Sequence, residues 1–418
     1  MGTCGADGNN VKYYYRKTAD LDNDKSPWEL YIYGSGEMKN YTSGNGAPWK
    51  ISNVNKVYID SGITSIGDYA FSEMRNLKEV FLPQSITSFG TRAFYYCNNL
   101  KSIEIPSGVK TISSNLFHHC DSLTAVNIPS SVTSIEDYAF SGCKSLKSVT
   151  IPQNVKSIGS YIFNGCLSLE DVQILGNINS IPYGTFLSCY SLKDFTIPTS
   201  ITEIGGFAFG YCKSLKNINF SNNVTTIKMS AFEQCVSLEE VSIPSSVNTI
   251  ESRAFCDDSC LTKVFIPGSV TTISSNTFSN CVSLKYVHLS EGITDFEVNV
   301  FSNCNSLEGI EIPSTVTRLN TAFGSCSNLR NIILNWTNPI TISNLTFSDN
   351  TFENGRLYSR VESAVDLLKT MNNWKTFKTI EYYNKHILTY LVDGVEYKMY
   401  SINYAAAIIP LEEPTKEG

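Results

Sequence analysis

The stretch FSGCKSLKSVTIPQNVKSIGSYI, Phe140–Ile162, decides the fold, because its pattern returns at a fixed step of 23 residues. With the Phe as origin, the step aligns Phe71, Phe94, Phe117, Phe140, Phe163, Phe186, Phe209, Phe232, Phe255, Phe278 and Phe301. The next, Phe323, comes one residue early. A Leu stands six positions after each Phe (Leu77, Leu100, Leu123, through Leu329), and apolar residues follow at nine and eleven, as in Val149 and Ile151. A fixed period of this length is the mark of a solenoid, in which each turn is one structural unit.

The spacing within one turn explains why turns must stack. Leu146, Val149 and Ile151 follow an L-x-x-L-x-L pattern that puts Val149 and Ile151 on one side of a short strand. Lys147, Ser148 and Thr150 then face away. Pro152 has no N–H for a ladder and ends the strand. Pro recurs there as Pro83, Pro106, Pro129, Pro198, Pro244, Pro267 and Pro313. Val155 and Ile158 turn inward again. Each buried large apolar side chain contributes roughly 1.5–3 kcal/mol, against about 1–2 kcal/mol of backbone entropy per ordered residue, so a lone turn does not fold. The expectation is a right-handed, β-rich solenoid of about twelve turns, roughly 50–60 Å long at about 4.8 Å per turn.

Hydrophobic residues make up 42% of the chain and charged residues 17%, which fits a folded protein rather than a disordered one. A net charge of −7 leaves no basic footprint for nucleic acid or anionic membranes. No apolar run approaches the roughly 18–20 residues of a membrane span, and no signal peptide opens the chain.

Ten of the 13 cysteines form a ladder three residues after the Phe: Cys97, Cys120, Cys143, Cys166, Cys189, Cys212, Cys235, Cys281, Cys304 and Cys326. Strands stacked at about 4.8 Å hold neighbouring Cβ atoms slightly beyond the roughly 3.5–4.5 Å of a disulfide. No C-x-x-C spacing suggests zinc. The ladder therefore reads as buried thiols acting as small hydrophobes. In the Phe255 turn, CDDSC places Asp258 at the ladder position between Cys256 and Cys260. A packing variation is the first reading there, with a local disulfide or a weak metal site including Asp257 as alternatives.

Four segments follow in order. Residues 1–56 lack the repeat and read as an N-terminal cap, with a strand-turn-strand at Trp28–Tyr41 and a hairpin turn at Gly34 and Gly36. Asp20, Asp22 and Asp24 have the spacing that opens an EF-hand loop, but Lys25 and Tyr31 stand where its Gly and Glu belong, so a solvated acidic loop is expected. Cys4 stands outside the ladder. Residues 57–334 carry the repeats, with register expected to fail from the short VTRLNTAF turn (Val316–Phe323) and the pattern to dissolve past Leu334. Residues 335–383 read as a C-terminal cap with a strand at Leu357-Tyr358, a helix at Glu362–Met371 (Val365, Leu368 and Lys369 at helical spacing), then Trp374 and Phe377. Residues 384–418 read as strands flanking Asp393-Gly394, a hairpin signal.

The repeat AF-xx-C-x-S-L-xx-V-x-I-P-x-S-V-xx-I, nearly whole in Ala139–Ile158, resembles the leucine-rich repeat of BspA-like bacterial surface proteins. The resemblance spans roughly residues 28–380, since WELYIYGSGEMKNYTSGNGAPW and LYSRVESAVDLLKTMNNWKTFKTI are similar to that family's flanks. The tail YLVDGVEYKMYSINYAAAIIPLEEPTKEG resembles the start of a β-grasp B-repeat of the Listeria–Bacteroides (InlB) type, without its later aromatic segment. The resemblance implies an extracellular or cell-surface bacterial protein that adheres to a host or bacterial surface protein or to matrix. It names no ligand.

On a leucine-rich-repeat solenoid the outward residues of the strand row form a concave binding face. Here these stand seven, eight and ten after each Phe, and most are polar. One cluster differs: Lys263 and Phe265 in one strand, Tyr286 and His288 in the next. Two exposed aromatics beside a cation and an imidazole have the make-up of an interface anchor, although cross-strand pairing that only steadies the sheet is the simpler account. Phe81 is a second candidate, read as a lone surface aromatic. The same rings are candidate platforms for a glycan. A third role, a rigid stalk that spaces other modules, needs no site.

No catalytic residues, cofactor or metal are expected. The four histidines are His118, His119, His288 and His386. His118-His119 adjoin Cys120, which belongs to the buried ladder, whereas a nucleophile needs an accessible thiolate beside its base. Glu239-Glu240 and Glu308/Glu311 lie on a regular surface with no pocket implied. No phosphate-cradling Gly loop occurs.

Overall fold

In the strand Ser148–Ile151, Val149 and Ile151 are buried while Ser148 and Thr150 are exposed, the alternation that the repeat dictates. That strand pairs in parallel with Asp171–Ile174 one period on, Val149 opposite Val172. Stacking by whole periods gives a β-solenoid of about 15 turns in the computed structural model. The structure describes residues 2–17, 27–49, 53–383, 387–392, 395–400 and 408–410. The turns outnumber the twelve expected because both flanking segments add parallel strands. Trp28–Gly34 pairs with Val54–Ile59 at one end, and Asn331–Leu334, Arg356–Ser359 and Thr379–Tyr382 pair in series at the other.

A second row of two-residue strands, such as Ser134–Ile135 beside Ser157–Ile158, closes each turn. The corners between rows hold left-handed backbone two residues before and two after the Phe, as at Tyr138 (φ 58°) and Gly142 (φ 75°). Arg92, Tyr96, Asn115, His119 and Tyr161 adopt it as well, despite roughly 1–2 kcal/mol of local cost for a residue with a side chain. Stacking fixes the corner, and local preference yields to it.

The interior is a column of rings. From Phe71 to Phe347 successive phenyl rings lie near-parallel with centroids 5.1–5.8 Å apart. Trp49 meets the first ring at 5.8 Å and Trp374 the last at 6.0 Å. Each of these two indole N–H groups donates to a carbonyl, Trp49 to Ala70 and Trp374 to Ile340. The short turn does not end the column: Phe323 stacks on Phe301 and on Phe347, each at 5.5 Å and 9°. Beside the rings runs the cysteine ladder. Each thiol from Cys97 to Cys326 donates to a Phe carbonyl of the preceding turn, as Cys143 does to Phe117 at 3.2 Å. Burial pushes the Cys143 thiol far above its ordinary range. The ladder is a column of satisfied buried thiols.

At the N-terminus Gly2–Gly5 and Gly8–Lys17 form an antiparallel hairpin whose second strand lies antiparallel along Trp28–Gly34. This covers the first edge of the parallel row. Gly34-Ser35-Gly36 is a solenoid corner, not the expected hairpin turn: Gly36–Glu37 pairs with Ile63–Ile66 in the second row. A Cβ on Gly34 (φ 117°) would sit 2.1 Å from the Asn10 carbonyl oxygen, so only glycine fits. At the C-terminus the helix Glu362–Thr370 buries Ala364, Val365 and Leu368, while Lys369 is exposed. A further short helix, Asp349–Asn354, is capped by Ser348. In the tail Ile387–Val392 and Val395–Tyr400 pair antiparallel, with Val392 opposite Val395. Asp20, Asp22, Asp24 and His386 lie outside the described residues.

Candidate functional site

Parallel pairing puts Lys263 opposite Tyr286 and Phe265 opposite His288. All four side chains stand on the outward side of the strand row, because Val264 and Ile266 take the inward positions. Tyr286 is 47% exposed. Lys263 is exposed, while Phe265 and His288 are half-buried against each other, their rings stacked at 4.7 Å and 6°. Burial lowers the His288 pKa against the opposing pull of Glu311, so the imidazole favours its neutral form.

The cluster extends further than the sequence suggested. Glu311, one period after His288, accepts from Arg360 through both oxygens, at 2.9 and 3.1 Å. The Arg360 guanidinium lies 5.0 Å from the Tyr383 ring centroid. Beyond Glu311 the outward positions are Ile333 and Tyr358, which pair with each other and form a small apolar cluster with Tyr383. The C-terminal third of the face is therefore a stripe of rings, an imidazole and an ion pair, with Lys263 and Tyr286 at its exposed end. Arg360 escaped sequence reading because it reaches Glu311 across 49 residues outside the repeat.

Phe81 is not a lone ring. It stacks on Tyr58 at 4.7 Å, Tyr58 on Tyr31 at 4.7 Å, and Tyr31 on Tyr14 at 4.9 Å, all within 10° of parallel. Phe81 is 45% and Tyr14 37% exposed, so the ladder presents ring edges and hydroxyls along the outer face. Half of this was legible, since Tyr58 and Phe81 are one period apart. Tyr14 was not, because it arrives on an antiparallel strand. Between the two aromatic ends the same outward row reads Glu104, Asn127, Thr150, Gln173, Thr196, Asn219 and Ser242, all exposed and polar.

A second run of rings lies at the corners, in or next to the left-handed positions. Tyr138 stacks on Tyr161 at 4.8 Å, Tyr95 on His118 at 5.2 Å, and Tyr96 on His119 at 4.5 Å. Burial and the neighbouring His119 and Arg92 push the His118 pKa down to about 4. Cys120 beside them is fully enclosed and its thiol is pushed far up, which leaves no thiolate for a histidine to assist. In the CDDSC corner Cys256 is buried, Cys260 is exposed, and both are free thiols. Asp257 pairs with Arg253 at 3.7 Å and accepts from Asn280, while Asp258 fills the ladder position. Packing variation is the reading that the geometry supports there.

The model of the BspA type leucine-rich repeat region matches residues 46–155, 133–261 and 248–366. The chain belongs to the BspA-type leucine-rich-repeat family. A leucine-rich repeat protein from Bacteroides ovatus superposes with a TM-score of 0.60 at 25% identity, over 83% of this chain and 98% of its own. One from Eubacterium ventriosum does so with a TM-score of 0.50 at 24% identity, over 76% and 90%. No curated protein matches. Leucine-rich-repeat solenoids of this family are generally non-enzymatic scaffolds, and the fold is one suited to protein binding. Among the described residues no helix is long and apolar enough to cross a membrane.

Proposed function

We propose that this protein is an extracellular or cell-surface adhesin that recognises a protein partner through the outer face of its strand row. Lys263, Phe265, Tyr286 and His288 form the anchor, and Phe81 contributes with the N-terminal ring ladder. The observation that carries the reading is the pairing of these four residues on adjacent strands, where the polar outward row that runs from Glu104 to Ser242 gives way to rings. Partly exposed rings flanked by a cation, with the apolar Ile333–Tyr358–Tyr383 cluster behind them, match the composition of interface hot spots. Mechanism here means complementarity, with no bond made or broken. A glycan platform is less favoured, because His288 covers one face of Phe265 and Tyr58 one face of Phe81. We read residues 384–418 as the beginning of a β-grasp module that continues the surface architecture.

The test is a binding screen of the purified protein against matrix and cell-surface proteins, beside a glycan array, each run with a Phe265→Ala/Tyr286→Ala variant. A protein hit that the variant loses supports the reading. A hit on sugars alone would favour the glycan module, and silence on both panels the stalk.

A further inference from the structure

We infer that the Phe255 turn is a pH-sensitive joint in the solenoid, closed while the Asp258 carboxyl keeps its proton and loosened when that proton leaves. Asp258 occupies the place that cysteine holds in the turns on either side, Cys235 before it and Cys281 after it. It is fully enclosed, with no surface exposed to water. One oxygen, Oδ1, accepts the Cys235 backbone N–H at 2.8 Å. The other, Oδ2, is buried with no hydrogen-bond partner among the described residues.

The neighbouring charges leave nothing to neutralise a carboxylate there. Arg253 is the cation at this corner, and it is committed elsewhere. Its Nη2 reaches Glu233 Oε1 at 2.6 Å, its Nε reaches Glu233 Oε2 at 3.3 Å, and it pairs with Asp257 at 3.7 Å. The remaining titratable neighbours are acids or thiols: Glu233, Asp257, and the cysteines Cys235, Cys256 and Cys281. Glu233 is itself buried, and Asp257 faces both Arg253 and Asn280. An ionised Asp258 would thus be an enclosed, unpaired charge beside two further carboxylates, a costly arrangement that the chain avoids by retaining the proton. Burial raises its pKa well above the ordinary carboxyl value; the Cys235 N–H bond opposes that rise, and the nearby Asp257 and Glu233 charges add to it.

The sign follows from linkage. With the folded pKa above the unfolded one, the stabilisation is complete below about pH 4 and is lost as pH rises through the folded value. Ionisation strains the turn that carries Lys263 and Phe265, because the Leu261 amide donates to the Asp258 carbonyl just before that strand starts. The joint itself does not depend on that face binding a partner.

Hydrogen exchange of the full chain, read by mass spectrometry at pH 5 and pH 8 and corrected for intrinsic rates, tests the inference. Peptides covering Cys235 and residues 254–266 should lose protection at least tenfold at the higher pH, while the turns at Phe140 and Phe163 do not. Asp258→Cys, which restores the ladder residue, and Asp258→Asn, which keeps the shape without the acid, should each abolish the difference. Equal protection at both pH values in the wild type overturns the inference. So does a pH dependence that survives in whichever variant folds.

Discussion

The inside and the outside of the strand row obey the same 23-residue clock but use it differently. Inward, Phe, Leu and Cys return with almost no variation, and each ring stacks on its copy one turn away. Outward, the same strands carry Thr150, Gln173 and Ser242 in the middle and rings at either end. Enclosure accounts for the contrast. A buried position must fill a fixed volume and satisfy every polar atom, whereas an exposed one tolerates any side chain that water can solvate. Departures from the rule therefore carry information in opposite ways. In the reading proposed above, an outward Phe265 marks the face for a partner and an inward Asp258 marks a joint.

The largest effect expected is on the inside. Phe140→Ala removes one ring from the middle of the column and should cost about 3–5 kcal/mol, read as a lowered denaturation midpoint without loss of the exposed face. A cost under about 1 kcal/mol would mean that the column is not the mechanical core. On the outside the Phe265→Ala/Tyr286→Ala pair should weaken partner binding by more than about 1–2 kcal/mol, with a stability cost no larger than the roughly 0.5–1.5 kcal/mol of one ring stack. The reverse outcome, lost stability with affinity intact, would reduce the cluster to sheet packing. Phe81→Ala strips the last ring from a four-ring ladder and should cost about 0.5–1.5 kcal/mol in stability. If it lowers affinity as much as the Phe265→Ala/Tyr286→Ala pair does, the anchor spans both ends of the face.

The smallest expected effect belongs to the corner. The folded pKa of His118, about 4, is below the unfolded value of 6.5. The unfolded chain therefore binds more protons between those values, and stability should decline as pH falls from 6.5 towards 4. His118→Gln should flatten that decline in thermal melts taken across the window. An unchanged slope would assign the acid sensitivity elsewhere. This dependence runs opposite to that of Asp258 and overlaps it between about pH 4 and 6.5, so the His118→Gln and Asp258→Asn variants, compared over the same window, separate the two.

Much of the fold was legible because a period is a long-range statement written locally. One turn, Ala139–Ile158, sets the strand, its inward residues and its Pro stop, and repetition sets what each residue stacks on. The same rule put Phe265 beside His288 and Lys263 beside Tyr286. It failed where contacts leave the period. The ion-pair partner of Glu311 is Arg360, from a corner that departs from the repeat, and Tyr14 reaches Tyr31 on a strand running the other way.

What the sequence alone determined was the solenoid, its inner columns and the composition of its outer row, since identical turns can bury their apolar side only against one another. The left-handed corners occupied by Tyr138 and Tyr161, the joining of Phe81 to three tyrosines, and the isolation of Asp258 were decided by tertiary structure. Each depends on which groups stand within a few ångströms after stacking, and neither the cost of a strained corner nor the absence of a cation is written at any one position.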